Sequence, residues 1–115
     1  MATGIPGHRR DQVKQRDDNR CFNCGVPTAH GDWHHRRSRS VRDEHQHCSC
    51  NGVWLCQTCH DWVHANPFEA RRLGLIVSRH VTNPATQPAR TYFGEILLDC
   101  TGQFSALLDE EESEG

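Results

Sequence analysis

The chain has no long hydrophobic run. Nothing in its 115 residues approaches the roughly 20 consecutive apolar residues of a membrane-spanning helix, and the opening MATGIPGHRRDQVKQRDDNR lacks the apolar centre of an export signal. Aromatic residues are scarce at 7%, apolar residues reach only 35%, and mean hydropathy is −0.79. So short and polar a chain has room for one domain with a small core, and that domain needs a staple. The expectation is a soluble, cytoplasmic protein without membrane contact. In a reducing compartment, paired cysteines are metal ligands more often than disulfides.

What the chain holds in excess is seven Cys and nine His, an excess that suggests metal rather than packing. Its net charge of −2 conceals an asymmetry, because Asp109 to Glu114 hold five of the fifteen acidic residues. Residues 1–108 therefore carry thirteen basic against ten acidic side chains. A mildly basic body with a solvated acidic tail fits a nucleic-acid binder. An ordinary mixed surface fits it equally well.

Residues 1–20 are polar and without apolar periodicity, which reads as a flexible arm or a frayed helix. Residues 21–80 carry the motifs and form the expected domain. Within it, Gln57 to Ala65 has the make-up of a short helix, and Asn66, Pro67 and Glu69 spell a capping box for a second helix that stops at Gly74. Leu75-Ile76-Val77 is a plausible strand. Residues 81–90, with two prolines, read as a linker, and 91–108 as a β-hairpin turning at Cys100-Thr101-Gly102. Residues 109–115 are disordered by composition.

Cys21-Phe22-Asn23-Cys24-Gly25 and Cys56-Gln57-Thr58-Cys59 are two CxxC knuckles, separated by 31 residues. Each holds two thiolates at the angle a tetrahedral Zn2+ requires, so Cys21, Cys24, Cys56 and Cys59 are the expected ligands of a structural zinc. Cys48 or Cys50 in place of Cys56 is the alternative. Cys100, isolated in a turn, reads as a free thiol. Cys56 to His60 also spells the C-x-x-C-H of haem c attachment, which belongs to exported proteins, so no haem is expected.

On a helix His60 and His64 share a face, with Cys59 about 100° from His60. Such a pair alone fits a wet surface as well as a metal site. Upstream stand His34-His35 and then Asn51, 16 residues after His35 and nine before His60. In this order, wrapped by the knuckles, the segment from Cys21 to His80 resembles the HNH endonucleases of the ββα-metal superfamily. The WHHRR and LCxxCHxWVHxNPxEA runs look like the small HNH proteins of actinobacterial bacteriophages.

The resemblance implies a small α+β, zinc-stapled domain: a ββα-metal core with two CxxC knuckles, followed by the C-terminal hairpin. It implies metal-dependent hydrolysis of DNA phosphodiester bonds. His35 would be the general base, Asn51 would tie the connecting loop and help orient that base, and His34, His60 and His64 would hold a catalytic divalent cation. Mg2+ and Mn2+ prefer oxygen ligands while Zn2+, Ni2+ and Co2+ accept nitrogen, and the cation stays open among them. Small HNH proteins of this kind often work with the large terminase subunit of a phage, which would place this one in genome packaging and in the host cytoplasm.

Arg36, Arg37, Arg39 and Arg42 follow the base and are read as phosphate contacts, with a solvated basic loop as the alternative. Trp33, Trp54 and Trp62 read as core plugs. His8, His30, His45, His47 and His80 have no evident partner. The rival function is a non-catalytic zinc module that binds DNA or a protein. It needs the cysteines but not the adjacent histidines.

Overall fold

The architecture grows from a short antiparallel pair, β1 (Asp32–His35) and β2 (Gly52–Leu55), in which Trp33 faces Trp54 and His35 faces Gly52. The structure, a computed structural model, describes residues 4–107. The acidic tail expected over 109–115 lies outside the described residues. Strand periodicity of two divides the pair into faces. Trp33 and Trp54 point to one side, where Val13 and Ile5 join them in a small cluster. Val53 and Leu55 point to the other, into the main core with Phe22, Val63, Leu75, Ile96 and Leu98. Gly52 is needed because a Cβ there would lie 2.2 Å from the Trp33 ring.

Helix α1 (Gly7–Arg16) lies over the tryptophan face; of the two readings, flexible arm or frayed helix, the chain takes a helix, and one that is docked. It is docked by polar groups rather than by an apolar stripe. The Arg16 side chain is 1% exposed and donates to the carbonyls of Ser49 (2.9 Å) and Gly52 (2.8 Å). Asp17 accepts from the Trp54 backbone amide at 2.9 Å. Arg10 and Lys14 cover the Trp54 ring with their cations 5.3 and 5.5 Å from its centroid.

Helix α2 (Gln57–Ala65) follows β2 directly and buries Cys59 and Val63. The chain then turns into α3 (Pro67–Arg72). The expected capping box is absent: the Asn66 amide donates instead to the Trp62 carbonyl at 2.9 Å, closing the end of α2, and Glu69 pairs with Arg72. Leu75 to Val77 makes only an isolated parallel bridge, Val77 to Arg37, instead of a strand.

The hairpin expected after residue 90 is a three-stranded meander, β3 (Ala89–Thr91), β4 (Gly94–Leu98) and β5 (Phe104–Ala106). The segment read as a linker is packed: it contains a 3-10 turn at Pro84–Thr86 with Pro84 buried, and β3 begins inside it. The result is a small α+β fold. Among the described residues no helix is long and apolar enough to cross a membrane.

Candidate functional site

The two knuckles meet. The sulfurs of Cys21, Cys24, Cys56 and Cys59 all lie within 4.8 Å of one another, with Cys24 and Cys56 at 4.0 Å. A tetrahedral zinc with bonds of about 2.3 Å sets its sulfurs about 3.8 Å apart, so the spacing fits that ion. Gly25 provides the turn that closes the first knuckle, with φ +80°. The Asn23 amide and the Cys59 backbone N–H each donate to a ligand sulfur at 3.4 Å, bonds that favour thiolate. Cys56, and not Cys48 or Cys50, completes this group.

Beside the knuckles, His34 from β1 converges with His60 and His64 from α2, their ring nitrogens within 4.8 Å. The Nε2 atoms of His60 and His64 are 3.2 Å apart, a separation that fits two ligands of one ion as well as a ring-to-ring hydrogen bond. The outer nitrogens are anchored. His34 Nε2 donates to the Leu75 carbonyl at 2.8 Å, and His60 Nδ1 lies 3.1 Å from Asp32 Oδ2. Those bonds leave His34 Nδ1 and His60 Nε2 as the lone pairs that face inward, the arrangement found around metal-ligating imidazoles. Burial pushes the His34 pKa down to about 4, against the opposing pull of the Leu75 carbonyl. The ring is therefore neutral near pH 7, the form that ligates metal.

His35 is on the opposite face of β1 and stacks edge-on against Trp33, with ring centroids 4.6 Å apart. Its Nε2 lies 3.1 Å from His47 Nδ1. Burial, reinforced by the nearby Arg39 cation and by His47 and His34, lowers the His35 pKa to about 3, so this imidazole is also neutral. Both histidine sets open on one cleft of about 490 Å³, lined by Trp33, His34, His35, Ser38, Arg39, His60 and His64.

Asn51 is fully buried and clamps the loop between β1 and β2. Its Oδ1 accepts from the Arg37 amide at 2.7 Å, its Nδ2 donates to the Gln46 carbonyl at 2.9 Å, and its own carbonyl accepts from the Arg36 amide at 2.8 Å. Both ends of the loop that carries His47 are thereby fixed to the strand that carries His35.

Two of the four arginines are not phosphate contacts. Arg36 is 1% exposed and spends its guanidinium on the carbonyls of Gly74 and Cys50 (both 2.8 Å), Gln87 (2.7 Å), Pro84 and Pro88 (both 3.3 Å). Burial lowers its pKa to about 10, and it stays cationic. Arg37, equally buried, donates to the carbonyls of Val81 and Thr82 and pairs with Asp43. These side chains hold the segment read as a linker against the histidine strand. Arg39 is exposed on the cleft and Arg42 is exposed away from it. Arg71 and Arg79 line an adjoining groove that shares His34, His35 and His64.

Trp33 and Trp54 are buried and Trp62 packs against the main core, as expected of plugs. Three participants go beyond the sequence reading. Asp32 had a sequence signal, since it stands two residues before His34 and hence on the same strand face. His47 had none. The gathering of His45, Cys48, Cys50 and Cys100, whose donor atoms lie within 4.8 Å of one another, had only the C-x-C spacing of Cys48 and Cys50 as its signal. Cys100 is thus not an isolated thiol. No family model, curated protein or solved structure matches the chain.

Proposed function

We propose that the chain is an HNH-type endonuclease that hydrolyses DNA phosphodiester bonds with the help of a divalent cation. The observation that carries this reading is the convergence of His34, His60 and His64 beside a separately held, neutral His35 in one open cleft. The order hairpin, clamped loop and helix supports a ββα-metal core. A zinc module that only bound a partner would have no use for three imidazoles, two of them with their outer nitrogens individually anchored.

His34, His60 and His64 would hold the cation, which when bound supplies positive charge against the phosphate oxygens and the leaving 3′ oxygen. In the tautomer with its proton on Nε2, His35 donates to His47 and keeps the Nδ1 lone pair free to accept a proton from an attacking water. Asp32 and the Leu75 carbonyl fix the ligand rings. Arg39 stands where a phosphate entering the cleft would meet a cation. Burial is the main cause of the lowered His35 pKa, and such a phosphate would offset only the part that the Arg39 cation adds.

Supercoiled plasmid incubated with the protein and, in turn, Mg2+, Mn2+, Co2+, Ni2+ or Zn2+ is expected to be nicked or linearised with at least one cation. His35→Ala should lower the rate by about a hundredfold or more while retaining the cysteine-bound zinc. Full activity in that variant overturns the assignment of the base, and inert wild-type protein with every cation favours the non-catalytic zinc module.

A further inference from the structure

Away from the cleft, the loop between β1 and β2 brings His45, Cys48 and Cys50 against Cys100, which sits on the turn between β4 and β5. We propose that these four residues hold a second structural zinc ion. A tetrahedral zinc with Zn–S of about 2.3 Å and Zn–N of about 2.0–2.1 Å separates two of its sulfurs by about 3.8 Å, and a sulfur from a nitrogen by about 3.6 Å. Cys50 and Cys100 have their sulfurs 3.7 Å apart, and His45 Nδ1 lies 3.9 Å from each. That spacing matches the four-cysteine group, where Cys24 and Cys56 stand at 4.0 Å. Three thiolates and one imidazole are a closed, soft donor set of the kind structural zinc takes, with no position left for substrate.

Neither a disulfide nor plain packing accounts for the cluster as well. A disulfide between Cys50 and Cys100 needs sulfurs about 2.05 Å apart and leaves Cys48 and His45 without purpose. Packing does not call for three sulfurs around one imidazole, two of them buried.

The site has a definable job. Cys50 and Cys100 are fifty residues apart, and the ion would tie the β1–β2 loop to the C-terminal meander across a small core. The ligands bracket the cleft's supports: His47 lies between His45 and Cys48, and Asn51 follows Cys50. Fixing this loop holds His47 against His35, a consequence that rests on the endonuclease reading. The metal site itself does not.

Cobalt substitution separates the two. Thiolate-to-cobalt absorption reports only sulfur-ligated ions and is blind to the three-histidine group, so in the reduced full-length protein it should saturate at two equivalents. Cys100→Ala and His45→Ala should each remove one equivalent and leave the four-cysteine site, whereas Cys24→Ala should remove the other. Zinc analysis of the protein as purified should fall in parallel. Saturation at one equivalent in the wild type, an unchanged titration in both Cys100→Ala and His45→Ala, or iron in place of zinc overturns the proposal, whatever the protein does to DNA.

Discussion

His35 Nε2 stands 3.1 Å from His47 Nδ1, so each imidazole limits the tautomer of the other. A neutral pair can share one proton across that contact. If His47 accepts, His35 is left with Nδ1 as its free lone pair, and the ring cannot rotate without losing the bond. Under the endonuclease reading, His47 would be a positioning residue that acts through His35.

Replacing His47 by Ala should lower kcat for plasmid cleavage by about ten- to a hundredfold, within the range general-base catalysis contributes, with little change in KM. His47→Gln, which can still accept from Nε2, should recover part of the loss. A merely structural role would instead lower thermal stability without the split between kcat and KM. Equal activity in His47→Ala and wild type would remove His47 from the mechanism.

Asp32 tests the proposed cation site without altering any of the three histidines. Its carboxylate lies 3.1 Å from His60 Nδ1 and makes the ring a stronger donor through the opposite nitrogen. Asp32→Asn keeps the shape and removes the charge, so divalent-cation affinity measured by calorimetry should fall about ten- to a hundredfold. The cysteine-bound zinc should stay in place. Unchanged affinity would mean that the three imidazoles are not a metal site.

Arg36 and Arg39 stand three residues apart and predict opposite outcomes. Arg36→Met leaves the buried carbonyls of Gly74 and Cys50, and the half-buried carbonyl of Gln87, without a donor. At about 1–3 kcal/mol for each buried unsatisfied group, the loss in urea denaturation should be at least about 2 kcal/mol. Arg39→Ala, on the exposed rim, should change stability by less than about 0.5 kcal/mol. It should weaken DNA binding and flatten its salt dependence by about one ion. Reversed results would restore Arg36 as a phosphate contact.

What could be read from the chain was local. The CxxC knuckles, the helix bearing His60 and His64, and the neighbouring His34 and His35 are short-range patterns, and the fold brings the four knuckle cysteines together and His34, His60 and His64 together. The path of the β1–β2 loop and the first strand of the meander were not legible in this way. His45, Cys48 and Cys50 reach Cys100 only through tertiary packing, and the pairing of His47 with His35 depends on a loop whose path Asn51 fixes. Arg36 and Arg37 look like a basic surface because burial of a guanidinium is decided by distant carbonyls. The docking of helix α1 escaped for a related reason: it runs through Arg16 and Asp17, and an apolar period gives no sign of hydrogen bonds.

The buried His34 makes the stability of the protein depend on acid in a defined window. Its pKa is about 4 when folded, because burial disfavours the charged ring, against about 6.5 in an unfolded chain. Below about pH 6.5 the unfolded state takes up a proton that the folded state refuses. Stability is thus fully present above that pH and is lost as pH falls towards the folded value of about 4. By linkage the loss from this one group reaches about 2 kcal/mol at about pH 5. Urea midpoints without added divalent cation, taken at about pH 7.5 and about pH 5, should drop less in His34→Gln than in the wild type. The glutamine amide can still donate to the Leu75 carbonyl but does not titrate, and protonation at the cysteine sites is common to both proteins and cancels. Parallel profiles would show that His34 is not held neutral by burial, and with that the preformed ligand geometry of the three-histidine group would fail.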